Sequence, residues 1–384
     1  MAQTRRACTS ATGQQIPGNC PGNNRWKDLL PGPTRLSNGC RCNWILCPAP
    51  QKWHFMLSAK NMSTSKTKAA VVGISGTSLT SDESDLLAAL PPAGVILFSR
   101  NIVDPPQLEQ LVTQLRDRLP EAAVLMIDQE GGRVSRLRPP HWPSLPAPAT
   151  LGTLWRNDQY AARRAARAHG AALGVLAREA EIDVVTAPVL DVPAEGANPV
   201  IGDRAISNDP VAVGVLGADI AWGIQFQGVQ PAMKHIPGHG KATVDSHTGL
   251  PRITASNLDA DLAPFAANAG LPWAMTAHVV YEMWDKDLPA TLSRRVIDDV
   301  IRRRIGFQGI LISDDLAMGA LTGDPATRAR GALTAGCDLA LYCPGDLPGN
   351  RAVLEACFAF DMTRLVSLKK NAPELSANML AVNA

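Results

Sequence analysis

From Ala69 onward, short and nearly unbroken apolar runs alternate with longer amphipathic stretches. The runs are 69–74 (AAVVGI), 93–99 (AGVILFS), 123–128 (AVLMID), 183–190 (DVVTAPVL), 230–235 (QPAMKH), 272–279 (PWAMTAHV), 309–314 (GILISD) and 337–343 (CDLALYC). Apolar runs of this length, without a polar face, suit parallel strands buried on both sides. Between them, 105–119 carries apolar residues at three- and four-residue spacing, with Asp104 as N-cap and proline at the first helical position. Residues 158–179 are rich in Ala and Arg, both strong helix formers. Further helices are expected from Asp209-Pro210 to about 227, from Ser293 to Arg304, and over 325–335. Eight strands with intervening helices predict an α/β fold, a (β/α)8 TIM-type barrel forming a single catalytic domain over 62–384. An open doubly wound sheet is disfavoured, because no Gly-x-Gly-x-x-Gly follows the first strand.

The polar residues at the strand ends change the picture from fold to chemistry. Asp128-Gln129-Glu130-Gly131-Gly132-Arg133 follows the third run, Lys234-His235 the fifth, Thr276-Ala277-His278 the sixth and Ser313-Asp314-Asp315 the seventh. In a barrel these ends converge on one rim, so four dispersed segments become one pocket. The densest stretch is 231–251, PAMKHIPGHGKATVDSHTGLP, which holds three of the chain's seven histidines. Its glycines favour a loop that bends and closes over a ligand.

Composition narrows the class. At 46% hydrophobic and 19% charged residues, the 384-residue chain has enough apolar material for a full core. Residues 1–61 carry eight Lys/Arg against the single acid Asp28, so the body is mildly acidic and offers no basic face for nucleic acid. The same segment holds Cys8, Cys20, Cys40, Cys42 and Cys47, but their spacing fits no paired-Cys zinc pattern. It lacks an apolar run long enough for a signal sequence or membrane span. Residues 1–61 are expected to be a disordered or spurious extension, with Met62 the true start. Cys337, Cys343 and Cys357 read as buried thiols in a reducing compartment, which makes cytoplasm the expected location.

Individual motifs leave alternatives open. Asp314 and Asp315 end an apolar strand, where one can cap the next turn and the other face the pocket. In Asp245-Ser246-His247, residues i and i+2 project to one side of an extended backbone, so the carboxylate can orient the imidazole. Arg133, Arg136 and Arg204 suit bidentate recognition of polar groups or simple loop salt bridges.

Taken in order, KHIPGHG with DSH five residues on, DQEGGRVSRL, NPVIGDRAIS, TAHVVY and SDDLAMGAL resemble the bacterial β-N-acetylhexosaminidases of glycoside hydrolase family 3. The resemblance runs from about 69 to at least 345, and residues 1–61 have no counterpart in it. It implies a retaining double displacement in which Asp314 attacks the anomeric carbon. His247, oriented by Asp245, would be the acid/base in place of the usual second carboxylate. It further implies that Asp128, Arg136, Arg204, Lys234 and His235 hold N-acetylglucosamine, and that His278 stands in the pocket wall. Cytoplasmic single-barrel members of the family remove N-acetylglucosamine from muropeptides in cell-wall recycling. The expected partner is therefore a small carbohydrate, with no cofactor, no metal, no nucleic acid and no membrane, and the chain a monomer. Rival readings are a β-glucosidase or β-xylosidase, an N-acetylglucosaminide phosphorylase of the same fold, a metal-dependent barrel hydrolase using His235, His239, Asp245, His247 and Asp314, and a non-catalytic sugar-binding protein.

Overall fold

Eight parallel strands close on themselves in the order β1-β10-β9-β7-β5-β4-β3-β2. The structure is a computed structural model that describes residues 66–196 and 198–368, so the expected extension over 1–61 lies outside the described residues. The barrel strands are β1 (Lys68–Gly73), β2 (Pro92–Leu97), β3 (Val124–Ile127), β4 (Val184–Val185), β5 (Gln230–Ile236), β7 (Trp273–Thr276), β9 (Ile310–Asp315) and β10 (Leu339–Tyr342). Each falls on one of the eight apolar runs. Two further short strands, β6 (Arg252–Ile253) and β8 (Val280–Tyr281), pair with each other outside the barrel.

A helix follows each barrel strand: α1 (Ser81–Ala89), α2 (Pro105–Arg118), α4 (Gln159–Glu179, preceded by α3, Ala149–Asn157), α5 (Pro210–Phe226), α6 (Asp259–Ala267), the π-wound segment Val296–Ile305, α7 (Pro325–Ala335) and α8 (Leu347–Ala356). Side-chain caps set many of the starts. Asp104, Asp158, Asp209, Asp324 and Asp346 each accept a hydrogen bond from a first-turn N–H at 2.7–2.9 Å, which is worth about 1 kcal/mol per helix. Helices α4 and α5 pack backbone against backbone at Gly170 and Gly223. A Cβ on Gly170 would stand 2.0 Å from the Ile220 carbonyl oxygen, so no larger residue fits this crossing.

Strand alternation sorts the core into two layers. One set, including Val71, Ile96, Val124, Met126, Val184, Ala232, Trp273, Met275, Ile310, Ile312, Leu339 and Leu341, fills the barrel. The neighbours between them, among them Val72, Leu97, Leu125, Ile127, Met233, Leu311 and Ala340, face the helices. After α8 the chain returns to the N-terminal mouth. There Phe360 and Leu365 join the inner layer, and Phe360 N–H donates to Thr67 C=O at 2.9 Å or less.

Candidate active site

Following the inward-facing series to the C-terminal ends of four strands gives the site. Val124 and Met126 lead to Asp128, Val184 to Thr186, Ala232 to Lys234, and Ile310 and Ile312 to Asp314. The alternation that fills the barrel with aliphatic side chains therefore aims these polar ones into its C-terminal mouth. Asp128, Lys234 and Asp314 line a cavity of about 270 Å3 together with Phe98, Glu130, Arg136, Arg204, His235, His239, His247, Met318 and Cys343, with Thr186 held against Asp128 and Lys234.

One wall is a connected set of charges. Lys234 Nζ lies 3.0 Å from Asp128 Oδ1, 2.6 Å from Glu130 Oε1 and 2.9 Å from Thr186 Oγ1. Glu130 takes Arg204 in a two-point fork, Nε to Oε2 and Nη2 to Oε1, both at 2.8 Å. Arg136 Nη2 donates to Asp128 Oδ2 at 2.9 Å, and its guanidinium lies over the Phe98 ring. The Thr186 hydroxyl donates to Asp128 Oδ1. Burial opposes every one of these charges, and the partners outweigh it. Asp128 and Glu130 are held below, and Lys234 and Arg204 above, their ordinary pKa values. These four side chains are thus ionised at neutral pH, two cations against two carboxylates. Such a fixed array offers hydroxyl groups both charged donors and charged acceptors.

His235 is fixed from behind by Asp191, which no solvent reaches. Asp191 Oδ2 accepts from His235 Nδ1 at 2.7 Å, while Oδ1 accepts from the main-chain N–H of His239 (2.6 Å) and His235 (3.3 Å). The proton on Nδ1 leaves Nε2 for the cavity. Burial works against the carboxylate, but the two imidazoles and these N–H groups bring Asp191 down to about 2.

At the end of β9 the two aspartates divide the roles. Asp315 Oδ1 accepts from the N–H of Ala317 and of Cys343, both at 3.0 Å, so it caps the following turn and ties it to β10. Asp314 lines the cavity and, among the described residues, accepts only the N–H of Asp315 (2.8 Å). Burial alone would raise its pKa. The facing His235 and His278, the Asp315 N–H and Lys234 pull it below the ordinary carboxylate value. Burial lowers the pKa of His278 below the ordinary imidazole value.

The 237–251 loop, expected to bend and close over a ligand, has two differently packed halves. From 237 to 242 it is largely buried. Tyr281 hydroxyl donates to Gly238 C=O at 2.7 Å, and a Cβ on Gly240 would stand 1.9 Å from the Val192 carbonyl oxygen. From 243 onward it is exposed or half-buried, save for Pro251 and for Ser246, whose Oγ lies 3.2 Å from His239 Nε2. Gly319 and Ala320, in the turn after β9, donate their N–H groups to the His247 and Ser246 carbonyls at 3.2 and 3.0 Å. The Asp245–His247 pair is therefore hung on the loop that follows Asp314. Asp245 Oδ1 accepts from both the main-chain N–H (2.9 Å) and the ring Nδ1 (2.8 Å) of His247, bonds that outweigh partial burial and lower its pKa. His247 Nε2 is left free, on a side chain 62% exposed.

The eight residues singled out from the sequence thus meet at one place. Asp128, Arg136, Arg204, Lys234, His235, His247 and Asp314 line the cavity, and Asp245 stands behind His247. His278, expected in the wall, is fully buried behind it, because its ring turns toward Thr291 and the Asp315 carbonyl. Glu130 entered the sequence reading only as part of its strand-end segment, with no role of its own, and Asp191 escaped it. Asp191 directly follows the fourth apolar run, so the strand-end rule could have found it. Arg133 binds Asp203 and the carbonyls of 199–201 at the rim. Among the described residues, no three His, Cys, Asp or Glu side chains come together in a set that could hold a metal ion.

Residues 64–362 match the family described as the glycosyl hydrolase family 3 N-terminal domain. The β-hexosaminidase of Bordetella pertussis strain Tohama I is 39% identical over 284 residues, covering 72% of this chain and 80% of that protein. That of Alkalilimnicola ehrlichii is 41% identical over 280 residues, 71% and 80% of the two chains. Among solved structures, NagZ from Neisseria gonorrhoeae is similar with a TM-score of 0.72 and 32% identity, over 82% of this chain and 93% of that one. Its complex with N-trifluoroacetyl-D-glucosamine gives 0.69 and 31%, over 81% and 96%.

Proposed function

The chain belongs to glycosyl hydrolase family 3, and on that footing we propose that it is a retaining exo-β-N-acetylglucosaminidase. The observation that carries the proposal is the pairing of a half-buried, ionised Asp314 with an exposed Asp245–His247 dyad on one small cavity. In the first step an Asp314 oxygen bonds to the anomeric carbon as the bond to the leaving oxygen breaks. The imidazolium of His247 gives that oxygen its Nε2 proton. In the second step the neutral ring takes a proton from water through Nε2, the water oxygen bonds to the same carbon, and Asp314 departs as carboxylate. Asp245 keeps the other ring proton on Nδ1 throughout, so a single nitrogen serves as acid and then as base.

The Asp128–Lys234–Glu130–Arg204 array and His235 Nε2 supply the donors and acceptors that a glycone's hydroxyls need. The cavity volume sits just below the roughly 300–1,000 Å3 of ordinary ligand pockets, which suits one sugar ring rather than a chain. The N-acylated glucosamine in the N. gonorrhoeae complex supports the glycone assignment. The finer proposal, a cytoplasmic monomer that releases N-acetylglucosamine from muropeptides, rests on the family resemblance alone. No helix among the described residues is long and apolar enough to cross a membrane.

Hydrolysis of aryl β-N-acetylglucosaminides tests the reading. Asp314→Ala should abolish turnover. His247→Ala should be slowed least on the substrate with the best leaving group, because that oxygen needs its proton least. An Asp314→Ala protein that retains turnover, or a His247→Ala defect independent of the leaving group, would overturn the assignment. Comparing kcat/KM for an N-acetylglucosaminyl muropeptide with that for chitobiose tests the finer substrate.

A further inference from the structure

Behind Asp314 lie three polar side chains that never reach the cavity: Thr276, His278 and Thr291, all without solvent exposure. Buried polar groups of this kind destabilise a core unless each finds a partner, so their protons can be traced. The Asp315 carbonyl can only accept, and it lies 2.9 Å from His278 Nε2, which must therefore carry a proton. Burial keeps the ring neutral, so Nδ1 is bare and accepts from the Thr291 hydroxyl at 2.7 Å. With its only proton committed there, Thr291 Oγ1 must itself accept from Thr276, also at 2.7 Å. Thr276 Oγ1 is then open to the Asp314 N–H, at 3.3 Å. The competing acceptor for the Thr291 proton, the Ala277 carbonyl, is more distant at 3.1 Å.

The hydrogen bonds thus run one way, from the Asp314 N–H through Thr276, Thr291 and His278 to the Asp315 carbonyl. The two ends of the chain lie on the Asp314 N–H and on the carbonyl of the next residue, so they bracket the proposed nucleophile. We propose that His278 and Thr291 are positioning residues that clamp the end of β9 from behind and hold the Asp314 carboxylate at its attacking angle. Thr291 lies outside the strands, just after the 282–289 loop, so the clamp joins the ends of β7 and β9 through a third segment. This inference rests on Asp314 being the nucleophile.

The test is Thr291→Val, which keeps the volume and removes the hydroxyl. Thr291→Ser restores the hydroxyl, and His278→Phe removes both ring bonds. A reacting group displaced by about 1 Å loses on the order of 100-fold in rate. Thr291→Val should accordingly lower kcat/KM on an aryl β-N-acetylglucosaminide by about 10- to 100-fold. The inhibition constant of N-acetylglucosamine should stay within about twofold, since the residues that would hold the glycone are untouched, and Thr291→Ser should regain most of the rate. In 15N-histidine spectra of the wild-type protein, His278 should show a protonated Nε2 and a bare Nδ1. Should His278→Phe fail to fold, the valine variant and the spectrum still decide. The clamp is overturned if Thr291→Val keeps wild-type kcat/KM, if rate and inhibitor binding fall together, or if His278 carries its proton on Nδ1. An inactive wild-type protein would instead overturn the proposed function, so the two failures are distinct.

Discussion

Replacing Asp191 by asparagine isolates one buried charge whose contribution can be worked from the structure. The substitution keeps the shape and leaves the Oδ1 position free to accept from the His235 and His239 N–H groups. It puts an amide NH2 where Oδ2 now accepts from His235 Nδ1. The pKa of Asp191 falls from an ordinary 3.8 to about 2 on folding. A depressed carboxylate contributes stability above its unfolded pKa and loses it as pH falls through the folded one. At pH 7 the shift corresponds to about 2 kcal/mol, of which about half survives at pH 3. Urea unfolding of wild type and Asp191→Asn at pH 7, 5, 4 and 3 should show a stability gap that is flat from 7 to 5 and narrows below 4. The substitution should also impair binding, because an NH2 facing Nδ1 drives the imidazole proton to Nε2. The cavity then meets a donor where it had an acceptor, and kcat/KM on an aryl β-N-acetylglucosaminide should fall roughly tenfold or more, as for leaving a buried hydrogen-bonding group unsatisfied. A gap of equal size at pH 7 and pH 3, or unchanged stability at pH 7, would refute the assignment of Asp191 as the buried anion that fixes His235.

Glu130→Ala should lower stability by about 3–5 kcal/mol in a denaturant titration, because Arg204 and Lys234 lose a buried counter-charge. It should also raise KM, and an unchanged midpoint would refute the network. Gly240→Ala should cost about 1–3 kcal/mol in thermal unfolding, since its Cβ would meet a backbone carbonyl that no rotamer change can move. Binding of N-acetylglucosamine should slow amide exchange at 243–250 and leave the already buried 237–242 unchanged, and equal protection of both halves would contradict the division of the loop. Incubation with a chelator should leave the rate of aryl glycoside hydrolysis unaltered, whereas its loss would favour metal-assisted chemistry.

The apolar runs were enough to find all eight barrel strands, because burial on both faces is a local demand that each strand meets with its own residues. The same alternation, continued to the strand ends, marks Asp128, Lys234 and Asp314 as inward-facing, and Asp245–His247 is legible because its partners are two residues apart. Helix starts at Asp104, Asp209 and Pro325 were likewise written locally. The fourth run shows the limit. Of the eight residues 183–190, only Val184 and Val185 form a strand; Pro188 has no N–H to give, and beyond the break Val189 rejoins β5 as a single bridge to Lys234, which brings Asp191 against His235. Partners from different strands were beyond a linear reading. Glu130 and Arg204 lie 74 residues apart, and Asp191 and His235 lie 44 apart. Each pair exists only because barrel closure sets which strand ends are neighbours. His278 shows the same in reverse, since its polar type suggested the pocket while Thr291 and the Asp315 carbonyl hold it behind the wall. Periodicity along the chain decided which residues point inward, and the closed ring of strands decided what each of them meets there.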